Sequence, residues 1–207
     1  MGSVDLAAAD STWRRARALA GATSSAPDRA ELLWLDGLLG VLQGDADRTR
    51  AAATALRADT LRVFRLTARS LEAQRMERAG IEGAADSAIA VSEDAMRTGG
   101  FMMSVEAVNR LIAARALVRR GTPARAERYL MWTDAATNTP RSFTVNFALA
   151  PLVSYERGVA LDEAGDRPGA TYQLRRFVRD YTNPPEAHRS LVEDAKKRLS
   201  RIEGAAR

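Results

Sequence analysis

Apolar residues recur along most of this chain with the 3.6-residue period of amphipathic helices. The clearest example lies between residues 61 and 79, where apolar side chains fall on one helical face and arginines fall on another. The apolar face consists of Leu61, Phe64, Ala68, Leu71 and Met76, and the basic face of Arg62, Arg65 and Arg69. Runs of β-branched residues bounded by turn residues, the usual signal for strands, are absent from the sequence. The pattern predicts an all-α protein.

Four glycines separate helix-like stretches at equivalent positions, namely Gly44, Gly80, Gly121 and Gly165. A small residue stands seven positions before each of them, in the order Gly37, Ala73, Ala114 and Gly158. Small residues allow two helices to cross closely, and glycine accommodates the tight turn between them. The spacing therefore predicts four helical hairpins that stack on one another.

The periodic segments and their breakers predict the bounds of each element. We expect an N-terminal helix at residues 4–22, with Leu6, Trp13, Ala16 and Ala20 toward the core. Hairpins are expected at residues 28–58, 60–97, 103–136 and 143–181, and a capping helix at residues 186–203. The capping helix carries one apolar stripe that is expected to cover the last hairpin, consisting of Leu191, Ala195, Leu199 and Ile202.

Two helix starts have local signals of their own. Asp28 is the expected N-cap of the first hairpin, because Glu31 follows three residues later. Thr122 and Pro123 are the expected N-cap and first helical residue of the second helix in the third hairpin.

The hairpin register resembles that of tetratricopeptide repeats in a degenerate form. The best match runs from Tyr155-Glu156-Arg157-Gly158 through Gly165-Asp166 to Ala170, and the second best uses Gly37, Gly44 and Asp45. The turn glycines are 36, 41 and 44 residues apart, whereas the family repeats every ~34 residues. The resemblance covers residues 29–181. It implies a single domain over residues 1–207, a right-handed α-α superhelix of about four hairpins with a helix at each end.

In tetratricopeptide proteins the first helix of each hairpin lines a concave groove that binds a protein segment. Carried onto this chain, the resemblance implies a ligand-facing stripe ten, six, three and two residues before each turn glycine. The stripe consists of Trp34, Leu38, Val41 and Leu42; Ser70, Gln74, Glu77 and Arg78; Leu111, Arg115, Val118 and Arg119; and Tyr155, Val159, Asp162 and Glu163. A peptide with a hydrophobic anchor and an acidic middle would complement it. The alternative is that Trp34, Leu38 and Leu42 pack beneath the N-terminal helix, while the arginines only keep the surface soluble.

The chain offers few residues for catalysis. It has no cysteine and a single histidine, His188, which we expect to be a solvated helix residue. Neither a GxxxxGK[ST] nor a GxGxxG phosphate-binding motif occurs. Carboxylates such as Asp162 and Glu163 have the spacing of surface charges. We therefore expect a non-catalytic protein without a metal or cofactor, acting as a scaffold or regulatory module that binds another protein or peptide.

The charge distribution favours a second function less strongly. The chain has 31 Lys and Arg against 26 Asp and Glu, for a net charge of +5. Three local clusters of arginine are present, at Arg62/Arg65/Arg69, Arg115/Arg119/Arg120 and Arg175/Arg176/Arg179. Such faces would bind nucleic acid or a signalling complex with a steep salt dependence. Interspersed acids and an aromatic content of 6% are atypical of nucleic-acid binding, so we do not expect it.

No apolar stretch reaches the ~20 residues of a membrane-spanning helix, and no signal-peptide pattern begins the chain. We expect a cytoplasmic bacterial protein, or an extracytoplasmic one if a targeting segment has been trimmed. A third alternative is a docking or sensor segment of a larger signalling protein, since bacterial proteins resembling residues 155–199 often carry such repeats after a kinase. Self-association is left open.

Overall fold

The computed structural model describes residues 6–20, 24–98, 103–131 and 143–205, and all regular secondary structure in these ranges is helical. The α-helices are α1 (Leu6–Leu19), α2 (Ala26–Gln43), α3 (Ala46–Ala58), α4 (Arg62–Arg78), α5 (Ala84–Thr98), α6 (Met103–Arg119), α7 (Pro123–Leu130), α8 (Phe143–Glu163), α9 (Arg167–Asp180) and α10 (Arg189–Gly204). A 3-10 turn at Glu186–His188 precedes α10. The all-α prediction is confirmed for these ranges. The helix ends predicted at residues 4–5, 21–22 and 132–136 lie outside the described residues.

Each of the four turn glycines lies between two helices, with its backbone in the left-handed region. Gly44 has a φ of 75° and Gly165 a φ of 83°, values that favour glycine because a Cβ would crowd the neighbouring carbonyl. The Gly44 backbone N–H donates to the Gly40 carbonyl and so satisfies an acceptor at the end of α2. The predicted helix–turn–helix units are confirmed at these positions.

The start of α2 differs from the prediction. Ser25, and not Asp28, is the N-cap: Ser25 Oγ accepts a hydrogen bond from the Asp28 backbone N–H at 3.3 Å, and Asp28 Oδ2 accepts one from the Ser25 backbone N–H at 3.2 Å. This reciprocal pair is a capping box with aspartate in the third helical position. The serine three residues before an acidic residue is the signal that the prediction overlooked. At α7, Thr122 is the N-cap and Pro123 the first helical residue, as predicted.

Close helix crossings explain two of the glycines that lie inside helices. A Cβ built on Gly37 in α2 would overlap Leu71 Cδ2 and would lie 3.1 Å from Ala52 Cβ. A Cβ built on Gly158 in α8 would lie 2.6 Å from two side-chain carbons of Leu174. Packing therefore requires glycine at these positions, because neighbouring side chains occupy the space that a Cβ would fill.

The chain divides into an N-terminal unit (Val4–Ile112) and a C-terminal unit (Ala113–Arg207), with the boundary inside α6. In the N-terminal unit, α2 packs on α1, α3 and α4, and α4 packs on α3 and α5. The core of this unit comprises Ala30, Trp34, Val41, Ala52, Ala53, Leu56, Phe64, Ala68, Leu71 and Val105. Each of these side chains is buried.

In the C-terminal unit, α8 packs on α7 and α9, and α9 packs on α10. The core of this unit comprises Tyr155, Val159, Ala170, Leu174, Phe177, Ala195 and Ile202. The stripe predicted for the capping helix is confirmed. Ala195 and Ile202 are buried in this core, and Leu191 and Leu199 pack against it.

Helix α1 is attached to the N-terminal unit without a fully buried residue of its own. Trp13 Nε1 donates to the Leu32 carbonyl at 3.0 Å, and the Arg48 guanidinium lies 4.9 Å from the centre of the Trp13 ring. Arg48 also pairs with Asp10 at 2.7 Å. Ala16, which was predicted to face the core, is exposed. That prediction is wrong because α1 is anchored at Asp10 and Trp13, and the packed surface does not include Ala16.

Candidate functional site

Trp34, the first residue of the predicted ligand-facing stripe, lies in the core of the N-terminal unit. It is 2% exposed and clusters with Phe64 of α4 and Val105 of α6. Val41 is buried in the same cluster, and Leu38 packs against the cluster while half-buried. This patch is therefore core, as the alternative interpretation held, but the cluster around it contains residues of α3, α4 and α6 and none of the described residues of the N-terminal helix.

The first turns of α6 contact α2 and pack against this patch. Ser104 Oγ of α6 forms a short hydrogen bond to Glu31 Oε1 of α2, and Val108 packs against the cluster around Trp34. Side chains of α6 thus occupy the space in which a groove was predicted. Trp34 and Val41 are buried, and partner binding through these residues stays a prediction.

Two polar residues of the predicted stripe, Ser70 and Gln74, belong to a buried network between α4, α5 and α6. Asn109 Nδ2 donates to Ser92 Oγ at 2.6 Å and to the Ala88 carbonyl at 2.8 Å. Ser70 Oγ donates to Asn109 Oδ1 at 3.2 Å, and Gln74 Nε2 donates to Ser70 Oγ at 3.1 Å. A buried network of this kind fixes how the three helices pack. It places Ser70 and Gln74 away from the surface of the described chain.

Helix α6 contributes a residue that sequence reasoning missed. Asn109 is fully buried, and its signal is a short polar side chain close in sequence to the apolar residues Val108, Leu111 and Ile112. Leu111, which was predicted to face a ligand, is also buried. Buried polar side chains are nearly always hydrogen-bonded, and Asn109 has partners on both α4 and α5.

The arginines of the predicted stripe are more accessible than its apolar members. Arg78 and Arg119 are exposed. Arg115 is half-buried, and its Nε donates to Glu156 Oε1 at 2.6 Å. Partner binding by these three residues stays a prediction.

Tyr155 and Val159, the stripe residues in α8, are buried in the C-terminal core. The Tyr155 hydroxyl donates to Asp194 Oδ2 at 2.8 Å and so ties α8 to α10. Burial, together with this hydrogen bond, raises the pKa of Tyr155 far above its ordinary value. The hydroxyl therefore remains a neutral donor at physiological pH.

His188 lies at the end of a row of packed rings. Ring centres are 5.2 Å apart for Tyr155 and Phe177, 5.3 Å for Phe177 and Tyr181, and 5.9 Å for Tyr181 and His188. The Tyr181 hydroxyl and His188 Nδ1 are hydrogen-bonded, and burial lowers the pKa of His188. The prediction of a solvated helix residue is wrong, because the 3-10 turn brings this half-buried ring onto Tyr181.

One face of α9 combines an exposed aromatic ring with arginines. Tyr172 is 64% exposed, and Arg175, Arg176 and Arg179 follow it at positions i+3, i+4 and i+7, which share a helical face. We name these four residues the α9 surface. The arginine cluster was predicted from the sequence, but Tyr172 was not; the signal for Tyr172 is its helical spacing from Arg176.

The α9 surface carries more positive than negative charge. Arg175 pairs with Glu203 at 2.8 Å, and Arg179 pairs with Asp180 at 2.7 Å. The hydrogen bond from Arg179 lowers the pKa of Asp180, which is therefore ionised at neutral pH. Arg176 Nε lies 3.9 Å from Asp180 Oδ2, and the guanidinium groups of Arg175 and Arg179 remain largely exposed.

The described residues show neither a metal-binding group nor a membrane-spanning helix. No three His, Cys, Asp or Glu side chains in the described ranges are placed to hold a metal ion. None of the described helices combines the length and apolar character needed to cross a bilayer. No protein-family model, curated protein or solved structure matches the chain.

Proposed function

We propose that this protein is a non-catalytic interaction module that binds an acidic segment of another protein. Its scaffold would be a right-handed superhelix of degenerate tetratricopeptide-like hairpins. The left-handed turn glycines and the close crossings at Gly37 and Gly158 support the scaffold part of this proposal. Arrays of this kind present helix faces for binding and have no need of a catalytic constellation.

The α9 surface is the observation that carries the proposal. Tyrosine and arginine are enriched at the energetic centres of protein interfaces. A tyrosine ring offers a large contact area with little conformational entropy to lose. Guanidinium groups bind carboxylates through planar, bidentate hydrogen bonds. The other large apolar residues exposed in the described chain are aliphatic, namely Leu19, Leu61, Ile81 and Met131.

The charge of the α9 surface indicates the chemistry of the partner. An acidic segment would compete with Glu203 and Asp180 for guanidinium groups that are already partly paired. An apolar side chain beside the acids would cover the exposed ring of Tyr172. The expected ligand is thus a short stretch that combines carboxylates with one apolar anchor.

Site-specific photo-crosslinking tests the proposal. A photoreactive amino acid replaces Tyr172 in the full chain, and irradiation in cell lysate traps whatever contacts the α9 surface. A second chain carries the same group in place of Ser200, an exposed residue of α10. We expect a discrete protein adduct from position 172 and no such adduct from position 200. Adding Arg179→Glu to the first chain is expected to abolish the adduct, because it reverses a charge that the acidic segment needs.

Two results would contradict the proposal. One is an adduct that nuclease removes, since it would identify the ligand as nucleic acid. The other is a protein adduct that Arg179→Glu leaves unchanged, because contact would then be independent of the α9 surface.

A further inference from the structure

Three arginines from two helices converge on one carboxylate in the N-terminal unit. The Asp94 carboxylate of α5 forms ion pairs with Arg62 and Arg69 of α4, at N···O distances of 2.9 and 2.8 Å. It also pairs with Arg97 of its own helix at 3.0 Å. The Asp94 side chain is only 18% exposed, whereas the three arginine side chains are 49–75% exposed. The carboxylate therefore lies beneath guanidinium groups that face solvent. We name these four residues the Asp94 cluster.

The Asp94 cluster has an excess of positive charge and of hydrogen-bond donors. The hydrogen bond from Arg97 is the main cause that lowers the pKa of Asp94, so the carboxylate is ionised at neutral pH. One negative charge then faces three positive charges. Each guanidinium carries five N–H donors, and a carboxylate accepts only about four hydrogen bonds in all. Most of these donors remain available to a ligand from the solvent side.

Arg65 extends the same face of α4. It lies between Arg62 and Arg69 at helical spacing, is exposed, and makes no ion pair with any described residue. Fixing the two neighbouring guanidinium groups on Asp94 reduces the side-chain entropy that a ligand must overcome on binding. Asp94 thus holds the guanidinium groups of Arg62 and Arg69 in place.

We propose that the Asp94 cluster binds the phosphate monoester of a phosphorylated segment in a partner protein. A phosphorylated side chain carries a charge of about −1.5 to −2 near pH 7. This charge is complementary to the cluster, in which three arginines and one carboxylate give a net charge of +2. Arginine binds phosphate oxygens through bidentate hydrogen bonds. The inference rests on the proposed function, because it assumes that the ligand is a protein.

The geometry favours a single phosphate group over a nucleic-acid backbone. The three guanidinium groups meet at one carboxylate, all within 3.0 Å of its oxygens. A nucleic-acid strand carries one charge per phosphate and needs contacts spread along its length. Convergent donors at one point are the arrangement suited to a compact dianion.

Peptide libraries of degenerate sequence test the inference on the full chain. One library has phosphoserine fixed at its centre, and the matched library has serine there. We expect the wild-type chain to retain the phosphoserine library preferentially. Arg69→Ala is expected to reduce this binding roughly tenfold, as the loss of a charge-assisted hydrogen bond implies. Arg50→Ala is the matched control, because Arg50 is an exposed arginine paired with Asp47 elsewhere in the unit. It is expected to leave binding unchanged.

Asp94→Asn separates a positioned site from general attraction. The substitution adds one positive charge, so non-specific attraction would make phosphopeptide binding stronger. A positioned site would bind more weakly, because the guanidinium groups lose their shared carboxylate. Circular dichroism checks that Arg69→Ala and Asp94→Asn remain folded.

Three results would overturn the inference: equal retention of the two libraries, stronger binding by Asp94→Asn, or a preference for a single-stranded oligonucleotide over the phosphoserine library. A protein adduct at Tyr172 combined with any of these results would reject the Asp94 cluster as a phosphate site. The proposed interaction module would still stand.

Discussion

Arg198 of α10 shows how burial decides the energetic weight of similar ion pairs. It pairs with Asp162 at 2.7 Å and with Glu163 at 3.0 Å, both at the end of α8. The Asp162 side chain is 3% exposed and also accepts from Arg201 at 2.5 Å, whereas the Glu163 side chain is 50% exposed. The two carboxylates were both predicted as surface charges, so their difference comes from the fold.

We expect Asp162→Asn to destabilise the protein by about 1–3 kcal/mol, because a buried acceptor of two guanidinium groups loses its charge. The matched change Glu163→Gln removes an exposed contact to the same arginine and is expected to cost less than about 1 kcal/mol. Urea unfolding of the two variants measures the difference. Equal losses would show that burial of Asp162 has no energetic consequence.

The lowered pKa of His188 makes the stability of the protein depend on pH in the mildly acidic range. Burial, with the nearby positive charge of Arg115, lowers the pKa of His188 below its ordinary value of 6.5. The folded state therefore favours the neutral ring, while the unfolded chain takes up a proton near pH 6.5. Stability is fully present above pH 6.5 and decreases as the pH falls toward the lower pKa of the folded protein.

We expect the melting temperature of the wild-type protein to fall between pH 7.5 and 5.5, and that of His188→Gln to fall less over the same interval. His188 is the only histidine in the chain, so the difference between the two curves reports on this group. Parallel curves would mean that the ring is not shielded by Tyr181 and its surroundings.

At the scale of the helices, Gly158 tests whether a close crossing holds α8 against α9. A methyl group at this position would lie 2.6 Å from Leu174 side-chain carbons and 3.2 Å from the Leu174 backbone nitrogen. Gly158→Ala is expected to cost about 1–3 kcal/mol through overpacking. This loss exceeds the gain of up to about 1 kcal/mol from helix propensity.

Gly204 in α10 provides the matched control, since a Cβ there would meet nothing within 4 Å. Gly204→Ala is expected to leave stability unchanged or to raise it slightly. Chemical denaturation compares the two variants. A Gly158→Ala protein that is as stable as Gly204→Ala would show that α8 and α9 can separate without loss.

The helices and their turns were predictable because their signals are local. Gly44 and Gly165 mark turns by their own backbone preference, and Pro123 marks a helix start by its fixed φ. The burial of the predicted ligand-facing stripe was not predictable in this way. Helical periodicity identifies a face but not the helix that covers it, and the partner of Ser70 is Asn109, 39 residues further along.

At the scale of the whole molecule, each unit has a hydrophobic core made from its own helices. All residues of the core around Trp34 lie between residues 30 and 105, and all residues of the core around Phe177 lie between residues 155 and 202. Proteins open locally in cooperative units, so damage to one of two separate cores is expected to remain local.

We expect Leu174→Ala to cost about 2–5 kcal/mol, because it leaves a cavity beside Phe177. Amide hydrogen exchange, followed by mass spectrometry, is expected to accelerate in α8, α9 and α10 while residues 26–78 keep their wild-type rates. Leu71→Ala, a change of the same size in the other core, is expected to give the reverse pattern. If either variant accelerates exchange equally throughout the described residues, the two cores unfold as one cooperative unit. A ligand bound at the α9 surface would then stabilise the Asp94 cluster against unfolding as well.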